Sequence, residues 1–200
     1  TQTGSIQEVS LSAVSTNGTI VLTNTSNSIG AASFKGGGNV TFYDTAALEV
    51  DGVSLSGNSL ALTDTAAGGI TQGSASSNAI VVGSLSVTDA GGPITLTNTS
   101  NSFGALTLST SGDASLYDTA SLTVDGASVG SGKTLTITDT SAGGINQGAG
   151  SSNKIAASNL AVTDSSGAIT LDNMSNAIGT LALTANGNSI HIKAPSTAVN

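Results

Sequence analysis

The sequence predicts an all-β chain wound as a right-handed parallel β-helix, a β-solenoid. Three observations predict it. First, the chain repeats itself: LTNTSNSIG at Leu22 to Gly30 returns as LTNTSNSFG at Leu96 to Gly104 and as LDNMSNAIG at Leu171 to Gly179, at steps of 74 and 75 residues. A unit that recurs at a fixed period must bury its apolar side against its neighbours, which is the sequence signature of a stacked rod. Second, the apolar residues alternate with polar ones over short runs, as in Ile94-Thr95-Leu96-Thr97 and Thr134-Leu135-Thr136-Ile137-Thr138, and no segment has a helical period. Third, aromatics make up 2% of the chain, Trp is absent and Gly numbers 26. Small and β-branched side chains suit narrow layers with tight corners better than a globular core.

Other markers keep the same step. YDTAALEVDG at Tyr43 to Gly52 matches YDTASLTVDG at Tyr117 to Gly126, and LTDTAAGGITQG at Leu62 to Gly73 matches ITDTSAGGINQG at Ile137 to Gly148. The chain divides into an N-terminal coil or cap (1–19), a first repeat (20–93), a second (94–168), a partial third (169–193) and a tail (194–200). In the second repeat the alternation supports about nine short strands: Ile94–Asn98, Ala105–Ser109, Ala114–Asp118, Ser121–Asp125, Ala127–Gly130, Thr134–Asp139, Gly144–Gln147, Lys154–Ala157 and Leu160–Asp164. Three strands per coil give coils of about 25 residues, three coils per repeat and about eight coils in all, a rod of about 38 Å at the spacing of stacked strands. Parallel crossovers are overwhelmingly right-handed, which sets the expected hand. Gly68-Gly69 and Gly143-Gly144 are expected at tight corners.

This parse places Asp44, Asp64, Asp89, Asp118, Asp139 and Asp164 at one equivalent site of successive coils. Stacked carboxylates suit a hard cation, which wants six to eight oxygens, or a general acid/base pair for glycoside hydrolysis. A structural corner ladder is the better reading. Asp and Asn close turns on nearby backbone N–H groups, and Asn24, Asn98 and Asn173 recur at one position of the repeat in the same way. A catalytic carboxylate has no reason to recur along a rod. The glycine-rich calcium nonapeptide pattern is absent, and no metal or other cofactor is expected.

The rest of the composition narrows function by exclusion. There are four basic residues, Lys35, Lys133, Lys154 and Lys193, against twelve acidic ones, for a net charge of −8. Nucleic acids and anionic membrane surfaces need a basic footprint that this chain lacks. No run approaches the roughly 20 apolar residues of a membrane span, so insertion is not expected. With no Cys and the single His191 there is no zinc constellation, and the abundant Ser and Thr lack a base for a triad. His191 reads as an outward strand residue, and Tyr43 and Tyr117 as repeat-encoded packing rather than a sugar-stacking platform. The TxT motifs Thr63-Asp64-Thr65 and Thr138-Asp139-Thr140 project two Thr to one side of a strand. Thr23-Asn24-Thr25 and Thr97-Asn98-Thr99 read as a matching pair on another face. An outward array of Thr63, Thr65, Thr138 and Thr140 raises ice binding as a third function class, behind a carbohydrate-active β-helix enzyme.

The units ITLTNTSNSFGALTLS, ASLYDTASLTVDG, LTITDTSAGGINQG and LAVTDSSGAITLDN resemble the central repeats of filamentous-haemagglutinin-like exoproteins, over almost all of Ile20 to Ile192. The resemblance implies a β-helical shaft of a large bacterial surface protein. It further implies two-partner secretion through an outer-membrane transporter, a secreted or cell-surface location, and a role in adhesion or biofilm. Ligands would be host or bacterial surface glycans or proteins. The Asn-Pro-Asn motif of that family's secretion module is missing, which places the chain in the repeat shaft, and no catalytic residues carry over. The expected function is a non-catalytic structural and adhesive segment. Thr1 to Thr19 and the tail Ala194 to Asn200 are the stretches outside the clear repeat, and their weak capping sequence predicts end-to-end self-association.

Overall fold

The structure, a computed structural model, describes residues 2–193; the predicted tail 194–200 lies outside the described residues. It is a β-solenoid. Parallel strands stack through about nine turns, with corresponding residues about 21 apart and only 3% of the chain helical. At about 4.8 Å per stacked strand the rod is about 43 Å long.

The coil is shorter than the sequence parse expects, because it holds two strands rather than three. The second repeat contains seven: Ile94–Leu96, Ser102–Thr110, Ala114–Asp118, Leu122–Ser128, Thr134–Asp139, Ile145–Gln147 and Ile155–Asp164. Two predicted pairs have fused, one of them Lys154–Ala157 with Leu160–Asp164, which run on as Ile155–Asp164. Ser121–Asp125 and Ala127–Gly130 join through Asp125-Gly126, where Gly126 takes φ 123°. The register against the neighbouring strand shifts there, between Leu106 and Leu108. The bulge lets Gly126 and Ala127 both face inward, so alternation is interrupted without the strand ending. Asp51-Gly52, with φ 104°, does the same in Leu48–Ser54. The steps between stacked partners consequently vary, from 18 residues at Ala31 and Glu49 to 28 at Ala127 and Ile155.

Seven strands at two per coil make the sequence repeat three and a half coils, not three. The core shows it directly. Leu22, Phe42, Leu62, Val87 and Leu108 stack in one inward file. Their repeat equivalents Leu96, Leu116, Ile137, Val162 and Leu183 stack in a second file. Leu108 lies above Val87, and Leu96 sits on the chain between them, close to half a turn round the coil. The same sequence feature therefore alternates between two flanks of the rod.

The core is a column of Leu, Ile and Val, with Phe34, Phe42 and Phe103 as its aromatics. Phe34 and Phe42 meet with ring centres 5.3 Å apart at 56°. Each such side chain contributes roughly 1.5–3 kcal/mol by burial. Stability is thus spread as contacts between neighbouring coils. The paired glycines sit at corners as expected: Gly69 (φ 77°) and Gly144 (φ 76°) each close a turn on the residue three back. A Cβ there would run into the carbonyls of Pro93 and Ala168 on the next coil. The first and last described coils leave large apolar side chains open, Val9 and Val14 at one end and Leu181, Ile190 and Ile192 at the other.

Candidate functional site: the inward polar files

The six aspartates are all buried at the inner edge of the coil, each closing a corner, but they form two files rather than one. Asp44, Asp64 and Asp89 belong to one flank: Tyr43 lies opposite Thr63, and Asp64 opposite Asp89. The residue above Asp89 is Thr110, not Asp118. Asp118, Asp139 and Asp164 stack in register on the other flank and end beneath Ala185. The single equivalent site inferred from sequence fails because of the half-turn phase. The 29-residue gap between Asp89 and Asp118 is a change of flank, not a long corner loop. Extending the strand registers two residues brings Asn24 to the foot of the Asp44 file and Asn98 to the foot of the Asp118 file. These Asn continue the files instead of lying on another face.

One oxygen of each carboxylate works on the backbone, and in Asp44 both do. Asp64 Oδ1 accepts from the N–H groups of Thr65 (2.7 Å) and Ala66 (3.1 Å). Asp89 accepts from Gly91 and Gly92, Asp139 from Thr140 and Ser141, and Asp164 from Ser166 and Gly167. Asp44 and Asp118 reach back to the preceding coil and accept from Ile29 and Phe103, both at 2.9 Å, and Asp44 also accepts from Ala46 (3.2 Å) with its other oxygen. The second oxygen is different. Oδ2 of Asp64, Asp89, Asp118, Asp139 and Asp164 is buried with no hydrogen-bond partner. Loss of water pushes the carboxyls up: Asp118 to about 7, Asp64 and Asp139 to about 6, and Asp44 and Asp89 also above the ordinary carboxylate value. Backbone donors oppose the shift in each. Charge on neighbouring file members adds to it at Asp64, Asp118 and Asp139.

A second polar arrangement went unnoticed in the sequence. Asn27, Asn101 and Asn176 are buried equivalents of one repeat position. Asn101 and Gln72 form a reciprocal amide pair: Gln72 Nε2 donates to Asn101 Oδ1 at 2.7 Å, and Asn101 Nδ2 donates to Gln72 Oε1 at 3.0 Å. Asn101 Oδ1 also accepts from Ile80 N–H (2.8 Å), and its Nδ2 donates to the Leu96 carbonyl (3.2 Å). Asn176 with Gln147 repeats the pair at 2.6 and 2.9 Å, and Gln2 with Asn27 makes a third copy. Asn98 and Asn173 complete the corner. Each donates to two carbonyls of the preceding coil and accepts from the residue two ahead. Asn24 accepts in the same way, from Ser26. The signal that finds these residues is recurrence of the Asn at Asn27, Asn101 and Asn176, and of the Gln at Gln72 and Gln147, within the chain's own repeats.

The outward residues are simple by contrast. Thr63 and Thr138 lie on strands facing out, half-exposed, opposite Thr88 and Thr163. Thr65 and Thr140 lie past the strand ends, in the corners that Asp64 and Asp139 hold. The four Thr therefore divide between the two flanks and do not make one flat array. Tyr43 and Tyr117 are half-exposed beside Thr63 and Thr138, one on each flank. His191 is exposed in Ile190–Ile192. Among the described residues no group of three or more His, Cys, Asp or Glu is placed to hold a metal. A shallow concavity of about 350 Å³ near the first coils is bordered by Ser10, Ser12, Ser33, Asp51 and Asn78; its acid, Asp51, accepts from Asn78 Nδ2 at 2.9 Å. No helix among the described residues is long and apolar enough to cross a membrane.

A family described as repeats of unknown function (DUF5649) matches residues 37–110, a stretch as long as one sequence repeat. The chain is similar to that family over that part. No curated protein and no solved structure matches it.

Proposed function

We propose that this chain is a non-catalytic structural and adhesive shaft segment of a large secreted bacterial surface protein, exported through an outer-membrane transporter. The observation that carries the reading is where the chemistry goes. The recurring Asp, Asn and Gln side chains turn inward and bind backbone, while the outward strand positions are mostly small and hydroxylated. Such a cross-section extends by adding coils and keeps its shape along the axis. A rod of this kind holds a distal module away from a surface, and contacts with glycans or proteins would fall on its outward Ser, Thr and Tyr.

The test is to place one or two copies of the segment between a surface anchor and a terminal tag on bacteria and to measure tag height. The expected result is a rise of about 40 Å per segment at the spacing of stacked strands, with no new reducing ends from a polysaccharide panel. Height independent of copy number, or sugar release, would refute the shaft.

A further inference from the structure

The two aspartate files differ from ordinary turn caps. Five carboxylate oxygens, Oδ2 of Asp64, Asp89, Asp118, Asp139 and Asp164, are shut from water with no donor within reach. A turn needs one oxygen of each side chain, and that need is already met by the backbone N–H groups. The remaining oxygen is a full acceptor left dry, which an ionised carboxylate tolerates badly. In-register stacking adds to this, because Asp64 lies against Asp89, and Asp139 lies between Asp118 and Asp164.

Among the described residues no cation relieves either file. The groups acting on the carboxyls of Asp44, Asp64, Asp89, Asp118 and Asp139 are backbone donors and other aspartates. The neighbours at the file ends are Asn24 and Thr110 on one flank and Asn98 and Ala185 on the other. The chain has no Arg. Two of its lysines face other acids, Lys133 near Asp113 and Lys193 near Asp172.

We propose that the buried aspartate files harden the rod in mild acid: the folded solenoid takes protons from solvent onto the carboxyls of Asp44, Asp64, Asp89, Asp118 and Asp139 where the unfolded chain does not, and so becomes harder to unfold as pH falls from 8 towards 5. The sign follows from linkage. A carboxyl held above its unfolded value costs stability while ionised. That cost is removed as pH drops through the folded value, about 7 for Asp118 and about 6 for Asp64 and Asp139. The gain stops when the unfolded chain also protonates, near its ordinary value of 3.8.

The experiment is urea unfolding of the whole chain at pH 8, 6.5 and 5, beside the double variant Asp64→Asn, Asp139→Asn and the exposed control Asp113→Asn. The folding equilibrium constant of the parent should grow roughly tenfold or more from pH 8 to 5, as a single group displaced by one pK unit would give. The double variant should be flatter with pH, and Asp113→Asn should follow the parent. If the double variant fails to fold, carboxyl carbon NMR of the parent decides: aspartate midpoints above 5 support the proposal, and midpoints all near 4 overturn it. Stability that falls steadily from pH 8 to 5 overturns it too. So does a large rise at pH 8 on adding millimolar calcium, which would make the files a cation site.

Discussion

Replacing Asn101 by Ala should be among the most damaging single polar substitutions in the rod. Its side chain is fully buried and makes four hydrogen bonds, two with Gln72, one from Ile80 N–H and one to the Leu96 carbonyl. Ala removes all four, at about 1 kcal/mol each. It also strands the Ile80 N–H, and a buried polar group left unpaired costs about 1–3 kcal/mol. Gln72 is only half-buried and keeps its bond to the Asn78 carbonyl at 2.8 Å, so part of its loss is recovered. The expected destabilisation is about 4–6 kcal/mol, read as a lower urea midpoint. A double-mutant cycle with Gln72→Ala should give a coupling of about 1–2 kcal/mol. Thr99→Ala, two residues away and exposed, should fall within about 0.5 kcal/mol. A loss below about 1 kcal/mol for Asn101→Ala would refute the view that this amide ties neighbouring coils together.

Gly144→Ala should cost clearly more than Gly132→Ala: both have positive φ, but only at Gly144 would the new Cβ meet the next coil's backbone. Left-handed strain alone is worth about 1–2 kcal/mol, so thermal melts that rank the two equally would remove the role of coil-to-coil approach. Phe42→Ala should cost about 3–5 kcal/mol through the cavity it leaves, and Phe42→Leu should restore most of it in denaturant titrations. Lys133→Ala should shift stability by less than about 0.5 kcal/mol, because its pair with Asp113 is 4.0 Å apart with both side chains exposed; a larger change on melting would contradict this.

Much of the architecture is legible in the residues. Alternation in Ile94-Thr95-Leu96 and Thr134 to Thr138 places the strands, and Gly69 and Gly144 mark corners that only glycine fits. The inward turn of Asp and Asn is also legible, because their side chains answer backbone donors in sequence-local turns such as Asp64 to Ala66. Coil length was not legible. Asp-Gly at Asp51 and Asp125 reads as the end of a strand, but a bulge lets the strand run through it and merges two apparent strands. With the coil misjudged, six aspartates looked like one file, since a period in sequence does not reveal how far round the axis it carries the chain. The Asn–Gln pairs were missed because their partners lie 29 residues apart and meet only once coils are stacked.

The half-turn offset of the repeat has a consequence for anything built on top of it. Inserting one 75-residue unit would do more than lengthen the rod by about 17 Å, the height of three and a half strand spacings. It would also swing whatever lies beyond to the opposite side, and a second unit would swing it back about 34 Å from where it began. Duplication, the cheapest change a repetitive gene undergoes, would thus alter reach and facing together. Chains differing by an odd number of units would present the same tip in opposite directions.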